Sequence, residues 1–184
     1  MPLTWSRIAR RIRVPLGFAF AVLYLWLARP TPLFMALSLL LVIPGILLRA
    51  YASGYVKKNA ELTLTGPYAH TRNPLYLGSM LIAFGFAIAS RSVWIALALV
   101  VLFAMIYVPV IRSEETFLRS KFPEFDAYAA RVPRLLPRLL LALAERSGSG
   151  SFSPALYKKH REYNALIGAV AIYAALALRI YFSS

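Results

Sequence analysis

Charge in this chain is confined to the breaks between long apolar runs, and that placement leaves very few folds open. Val14–Ala28, Leu33–Ala50, Leu75–Ala89, Val93–Ile111 and Ala165–Phe182 are almost free of charge. Backbone amides in lipid must find partners within their own segment, so such runs cross a bilayer as helices. At about 1.5 Å per residue, Val14–Ala28 falls short of a hydrocarbon core of roughly 30 Å, and flanking residues extend it. Arg29-Pro30-Thr31-Pro32 and Ser90-Arg91-Ser92 are tight turns, which makes two helical hairpins. Pro44-Gly45 predicts a kink in the second span, and Pro109 lies near the end of the fourth. The fold class expected is all-α, a polytopic membrane protein with about five transmembrane helices. The chain reads as a single integral membrane domain. It comprises a hairpin over 1–50, a core over 51–138, and a closing part over 139–184. In that last region Leu135–Ala144 reads as an interfacial apolar stripe flanked by arginines, and Glu145–Pro154 as a flexible linker before the final span.

Composition agrees. The 184 residues are 60% hydrophobic and only 15% charged, against about 25% in soluble domains. A net charge of +14 invites a nucleic-acid reading, but the cations lie between apolar runs rather than on one soluble face, which excludes it. The chain has no cysteine and two histidines, so no disulfide, thiolate site or metal centre is expected. The basic, then apolar N-terminus lacks a small-residue cleavage site and reads as a retained span. Of the 21 Lys and Arg, 18 fall in segments 1–13, 49–74 and 112–162, as do all seven acidic residues. Only Arg29, Arg91 and Arg179 fall at the opposite ends. The positive-inside rule then predicts an inner or plasma membrane protein with the N-terminus in the cytoplasm and the C-terminus outside.

The densest chemistry is Gly66–Gly85, GPYAHTRNPLYLGSMLIAFG, a polar turn running into an apolar helix. Pro74 suits the first turn of that helix and holds Asn73 extended. Polar groups at the mouth of a membrane helix are costly without partners, which marks Tyr68, His70, Arg72, Asn73 and Tyr76 as candidates. A short outer turn joins the third and fourth spans, so their inner ends lie side by side. That sets the polar turn near Arg112-Ser113-Glu114-Glu115. Adjacent helix residues point about 100° apart, so one of the two glutamates faces the site. Glu115 is the expected one, able to accept from a ribose diol, with Glu114 pairing an arginine; alternatively the helix runs on to about Lys121 and leaves both solvated. A third cluster is Tyr128–Pro137, YAARVPRLLP. Gly78 and Gly85, seven apart, share a helix face that serves either close helix packing or a smooth ligand groove.

RNPLYLG, a glycine-bearing span, a Glu-Glu pair and FPEFDAYAARVPRLLP, in that order, resemble the isoprenylcysteine carboxyl methyltransferase and phospholipid methyltransferase superfamily. The resemblance covers about residues 60–138. It implies an integral membrane enzyme using S-adenosylmethionine, with no nucleic acid, no metal and no obligate protein partner. It further implies that Tyr68, His70, Asn73, Pro74, Tyr76, Gly78, Glu114, Glu115, Tyr128, Arg131, Pro133 and Arg134 form the cofactor pocket. For catalysis, Arg72 or Arg131 would orient a carboxylate acceptor, and His70 or Glu115 would be the base for an amine. Asn73 stands where the family usually has histidine, and Phe125 where it usually has the tail's first tyrosine. The acceptor expected is a lipophilic small molecule or lipid, methylated on a carboxyl oxygen or an amine. Two other readings of the same residues are an NADPH-dependent, sterol-reductase-like enzyme and a non-enzymatic membrane scaffold.

Overall fold

The computed structural model describes residues 5–57, 60–137 and 151–183, with side chains described for 15–57, 60–137 and 151–182. The described residues are helical, with no strand among them. The helices are α1 (Trp5–Leu27), α2 (Pro32–Ser53), α3 (Pro74–Ser90), α4 (Val93–Leu102), α5 (Val108–Lys121), α6 (Phe125–Arg131), α7 (Pro154–His160) and α8 (Tyr163–Ser183). A 3₁₀ turn, Gly66–Ala69, precedes α3, and a π-helical turn, Phe103–Tyr107, joins α4 to α5.

Among the described residues, three stretches are long and apolar enough to cross a membrane: Pro32–Ser53, Val93–Lys121 and Tyr163–Phe182. Two shorter apolar helices are Pro15–Leu27 and Pro74–Ser90. Their large apolar side chains stay exposed, among them Phe18, Trp26, Leu40, Trp94 and Val170. Apolar surface on this scale has its natural solvent in lipid. The protein is an integral membrane protein.

The fourth span outruns its expected end at Ile111, because the helix continues through Pro109 to Lys121. Proline inside an α-helix clashes with the carbonyl four residues back. Here the preceding turn is π-helical, with Val108 N–H bonded to the Phe103 carbonyl. That wider turn gives the ring room. The expected interfacial helix over 135–144 is not helical at Leu135–Pro137, and its remainder lies outside the described residues, as does most of the expected linker. The basic start of the chain is continuous with the first span in α1 from Trp5 onward. α7 is a helix that the linker composition did not announce.

The chain forms two compact units. The first takes in the described residues of 1–43, 82–114 and 168–184. Its buried hydroxyls Tyr24, Ser38 and Ser90 are hydrogen-bonded, as an apolar surrounding demands. Tyr24 Oη donates to the Phe86 carbonyl at 2.9 Å, and the Ser38 and Tyr173 hydroxyls lie 2.5 Å apart. Gly85 lets α3 approach α2, where a Cβ would meet Val42 at 2.5 Å and the Ser38 carbonyl at 3.0 Å. Arg29, Arg91 and Arg179 all belong to this unit. Arg179 donates to the Leu25 and Trp26 carbonyls at the end of α1, and Arg91 lies over the Phe34 ring. Cations at a helix C-terminus complement its dipole.

The second unit comprises 44–81 and the described residues of 115–167. It holds the polar segments and the candidate site. Gly78 packs against α2: a Cβ there would sit 2.6 Å from Arg49 Cγ and 2.8 Å from the Gly45 carbonyl oxygen. α6 buries Phe125, Tyr128 and Val132, spaced to share one helix face, with Leu62, Leu118 and Phe122 packed on them. Phe125 is 1% exposed. A hydroxyl at that depth would need its own partner, so the phenylalanine suits its pocket.

Candidate functional site

The site grows from the turn before α3. Gly66 has φ +61°, a left-handed conformation that strains other residues. A Cβ there would also lie 2.7 Å from the Tyr55 ring. This opens the 3₁₀ turn and delivers residues 70–73 beside the tail that follows α6. The backbone N–H of Arg72 donates to the Pro133 carbonyl at 2.9 Å. Thr71 Oγ1 donates to the Leu135 carbonyl at 3.0 Å, and Asn73 Nδ2 donates to that of Arg134 at 2.9 Å. Tyr128 Oη donates to the Tyr68 carbonyl at 2.7 Å. Burial raises the Tyr128 phenol above its usual range; the nearby Arg72 charge pulls it down and Glu115 pushes it up.

Glu115 closes the arrangement from α5. Its Oε1 lies 3.2 Å from Arg72 Nη1, and its Oε2 lies 2.8 Å from Arg134 Nη2. Arg134 Nε reaches both oxygens, at 3.1 and 3.0 Å. This bond to Glu115 raises the Arg134 guanidinium above its ordinary value. Turn, helix and tail are thereby latched through one carboxylate that is 5% exposed. The hairpin argument thus brings Arg72 to Glu115, as expected. The helix does continue past the glutamates, but Glu115 is buried, so the solvated alternative does not hold for it. Glu115 itself pairs with two arginines, and Glu114 beside it is half-buried.

Asn73 acquires a physical role. Its amide is used as a donor to a backbone carbonyl, a task a neutral imidazole N–H performs equally well. Pro74 is buried at the first position of α3. His70 and Tyr76 are half-buried on either side of it. Pro133 accepts the Arg72 amide, and Arg131 is exposed, its Nε donating to the Ala127 carbonyl at 3.3 Å.

Beside the latch the second unit forms a partly open cavity of about 880 Å³. Tyr128 and Arg131 are the two expected site residues on its wall; the rest of the wall mixes apolar side chains with polar groups that motif reading passed over, including Tyr55, Glu61, Thr63 and Lys159. Thr63 Oγ1 is buried and has no hydrogen-bond partner, and Arg72 Nε shares that condition. The one sequence signal for Thr63 was its place in LTLT, directly before the turn. No group of three or more His, Cys, Asp or Glu among the described residues is arranged to hold a metal ion.

The phospholipid methyltransferase family model matches residues 33–124, half of the chain. The chain belongs to the phospholipid methyltransferase family. This family lies within the isoprenylcysteine carboxyl methyltransferase-like membrane superfamily. The matched residues contain the turn, α3 and Glu115, and end before α6. Two curated relatives are similar over part of the chain. The nickel-cobalt-cadmium resistance protein NccN of Alcaligenes xylosoxydans xylosoxydans is 43% identical over 95 residues, 52% of this chain and 44% of that protein. The cobalt-zinc-cadmium resistance protein CzcN of Cupriavidus metallidurans is 38% identical over 117 residues, 62% of this chain and 54% of that protein. The chain spans about half the length of the curated relatives it matches. No solved structure matches it.

Proposed function

We propose that this methyltransferase-family protein transfers a methyl group from S-adenosylmethionine to a lipophilic acceptor at the cytoplasmic face of the membrane. The observation that carries the reading is the cavity beside the Glu115 latch. Its volume lies within the 300–1,000 Å³ range of small-molecule sites. Its wall carries hydroxyls, a carboxylate and cations, and the buried, unpartnered Thr63 hydroxyl wants a polar ligand atom. That donor and acceptor set fits the adenosine and amino-acid ends of the cofactor.

When bound, S-adenosylmethionine supplies an electrophilic methyl group on a sulfonium. The protein's share of an in-line displacement is alignment and electrostatics. Tyr128, Arg131 and Thr63 would hold the cofactor. Arg72 and Glu115, with Asn73, Pro133 and Arg134, would fix the wall that carries Tyr128. Gly78, packed on α2, and Pro74 and Tyr76 set the position of that wall from behind. A carboxylate acceptor needs an arginine to orient it and no base. For an amine acceptor His70 is the candidate base, because both Glu115 oxygens are committed to arginines. The charge asymmetry supports an N-terminus in the cytoplasm and a C-terminus outside.

Calorimetry on the full chain in detergent tests this. Binding of S-adenosylmethionine or S-adenosylhomocysteine, followed by labelled methyl transfer into extracted lipids, is the expected result. Absence of binding by either nucleoside overturns it, and NADPH binding in their place favours the reductase reading.

A further inference from the structure

The family match ends at residue 124, yet the cavity wall does not. Ser151, Ser153, Ala155, Leu156 and Lys159 line one side of it, all from the segment that leads into the last span. This segment is fastened along its length. The Ser153 N–H donates to the Gly54 carbonyl at 2.9 Å. The Phe152 ring covers Gly54, where a Cβ would lie 2.3 Å from it, and stacks on Tyr51 at 6.2 Å. His160 Nδ1 lies 3.1 Å from the Ser53 carbonyl oxygen. Glu162 forms a two-pronged pair with Arg49 at 2.7 to 3.0 Å. Arg49 also bonds the Leu75 carbonyl and Ser79 on α3.

Charge on the wall is uneven. Lys57, Arg131 and Lys159 stand on it with a single carboxylate, Glu61, which is paired with Lys57 at 3.1 Å. Lys159 belongs to none of the described ion pairs. An unpaired lysine and a buried hydroxyl without a partner favour an anionic group.

We infer that the C-terminal segment 151–162 is a working part of the binding site. It closes the cavity, and its Lys159 holds a carboxylate or phosphate of the ligand. This rests on the methyltransferase reading only for the identity of that ligand. The carboxylate has its source in the methyl donor, the phosphate in a lipid headgroup.

Binding by full-length protein in detergent separates these sources. The probes are S-adenosylhomocysteine, methylthioadenosine, which lacks the carboxylate, and dihexanoyl phosphatidic acid. Lys159→Gln weakens S-adenosylhomocysteine about tenfold and methylthioadenosine less than twofold if the anion is the donor's. It weakens the phosphatidic acid instead if the anion is the headgroup's. Lys158→Gln, on an exposed residue outside the cavity wall, changes neither. Equal affinities for all three probes in Lys159→Gln and the parent overturn the anion assignment.

Closure has its own readout, which needs no ligand. The chain has no cysteine, so Thr63→Cys is a unique thiol. It reacts slowly with a polar maleimide while the wall is docked. Phe152→Ala or Glu162→Gln, each combined with Thr63→Cys, accelerates labelling at least tenfold. Unchanged labelling in both overturns the closure, whether or not any nucleoside binds.

Discussion

Glu115→Gln tests the latch most directly. The Glu115 side chain is 7% exposed and that of Arg72 13%, whereas Arg134 is 49% exposed. The two halves of the latch therefore carry different weights. An ion pair as exposed as the Arg134 contact contributes about 0–1 kcal/mol after solvent screening. The Arg72 half is buried, and Arg72 Nε already lacks a partner. Removing the carboxylate charge strands the guanidinium, at a cost of about 3–5 kcal/mol. Glu115→Gln keeps the volume and one acceptor, so about 3 kcal/mol is the expected loss, against under 1 kcal/mol for Arg134→Gln. Replacing both buried partners, as Arg72→Met with Glu115→Leu, removes the stranded charge. That double variant loses less than the sum of its singles by about 1–3 kcal/mol. Denaturant or SDS titration in detergent, followed by tryptophan fluorescence, reads the parent, these variants and the two singles of the double. If Glu115→Gln costs no more than Arg134→Gln, or if the double variant is additive, the buried-latch argument is wrong. The same geometry predicts that Glu115→Ala lowers S-adenosylhomocysteine affinity more than Glu114→Ala does. Equal losses in calorimetry would count against it.

Three further outcomes follow from single contacts. Asn73→His keeps a donor for the Arg134 carbonyl and preserves the melting temperature, while Asn73→Asp sets an acceptor against that carbonyl and destabilises by about 1–3 kcal/mol in the same titration. Gly78→Ala forces a methyl onto the Gly45 carbonyl and Arg49, costing about 1–3 kcal/mol by thermal melt; an unchanged melt means that α2 and α3 are not in backbone contact there. Burial raises the Tyr128 phenol, so its share of stability is complete below the unfolded tyrosine value near 10 and is lost as pH rises through the higher folded value. Melts from pH 7 to 11 should stay flat to about 10 and then fall, with a smaller fall in Tyr128→Phe.

Much of this protein is written in the order of its residues. Apolar runs punctuated by charge fix helices because lipid offers the backbone no other partner, and the family blocks RNPLYLG and Glu-Glu are local enough to read directly. The short turn at Ser90–Ser92 even forces Arg72 and Glu115 into reach. What the sequence alone left undecided depends on partners distant along the chain. Whether a glutamate beside another glutamate is buried or solvated turns on two arginines, 43 residues before it and 19 after it. The donor role of Asn73 exists only because the Arg134 carbonyl arrives opposite it. The segment 151–162 carries no motif, and its part in the cavity comes from docking on Gly54 and Arg49. Helices are local and periodic; the latch and the cavity wall are made of contacts whose spacing no periodicity encodes.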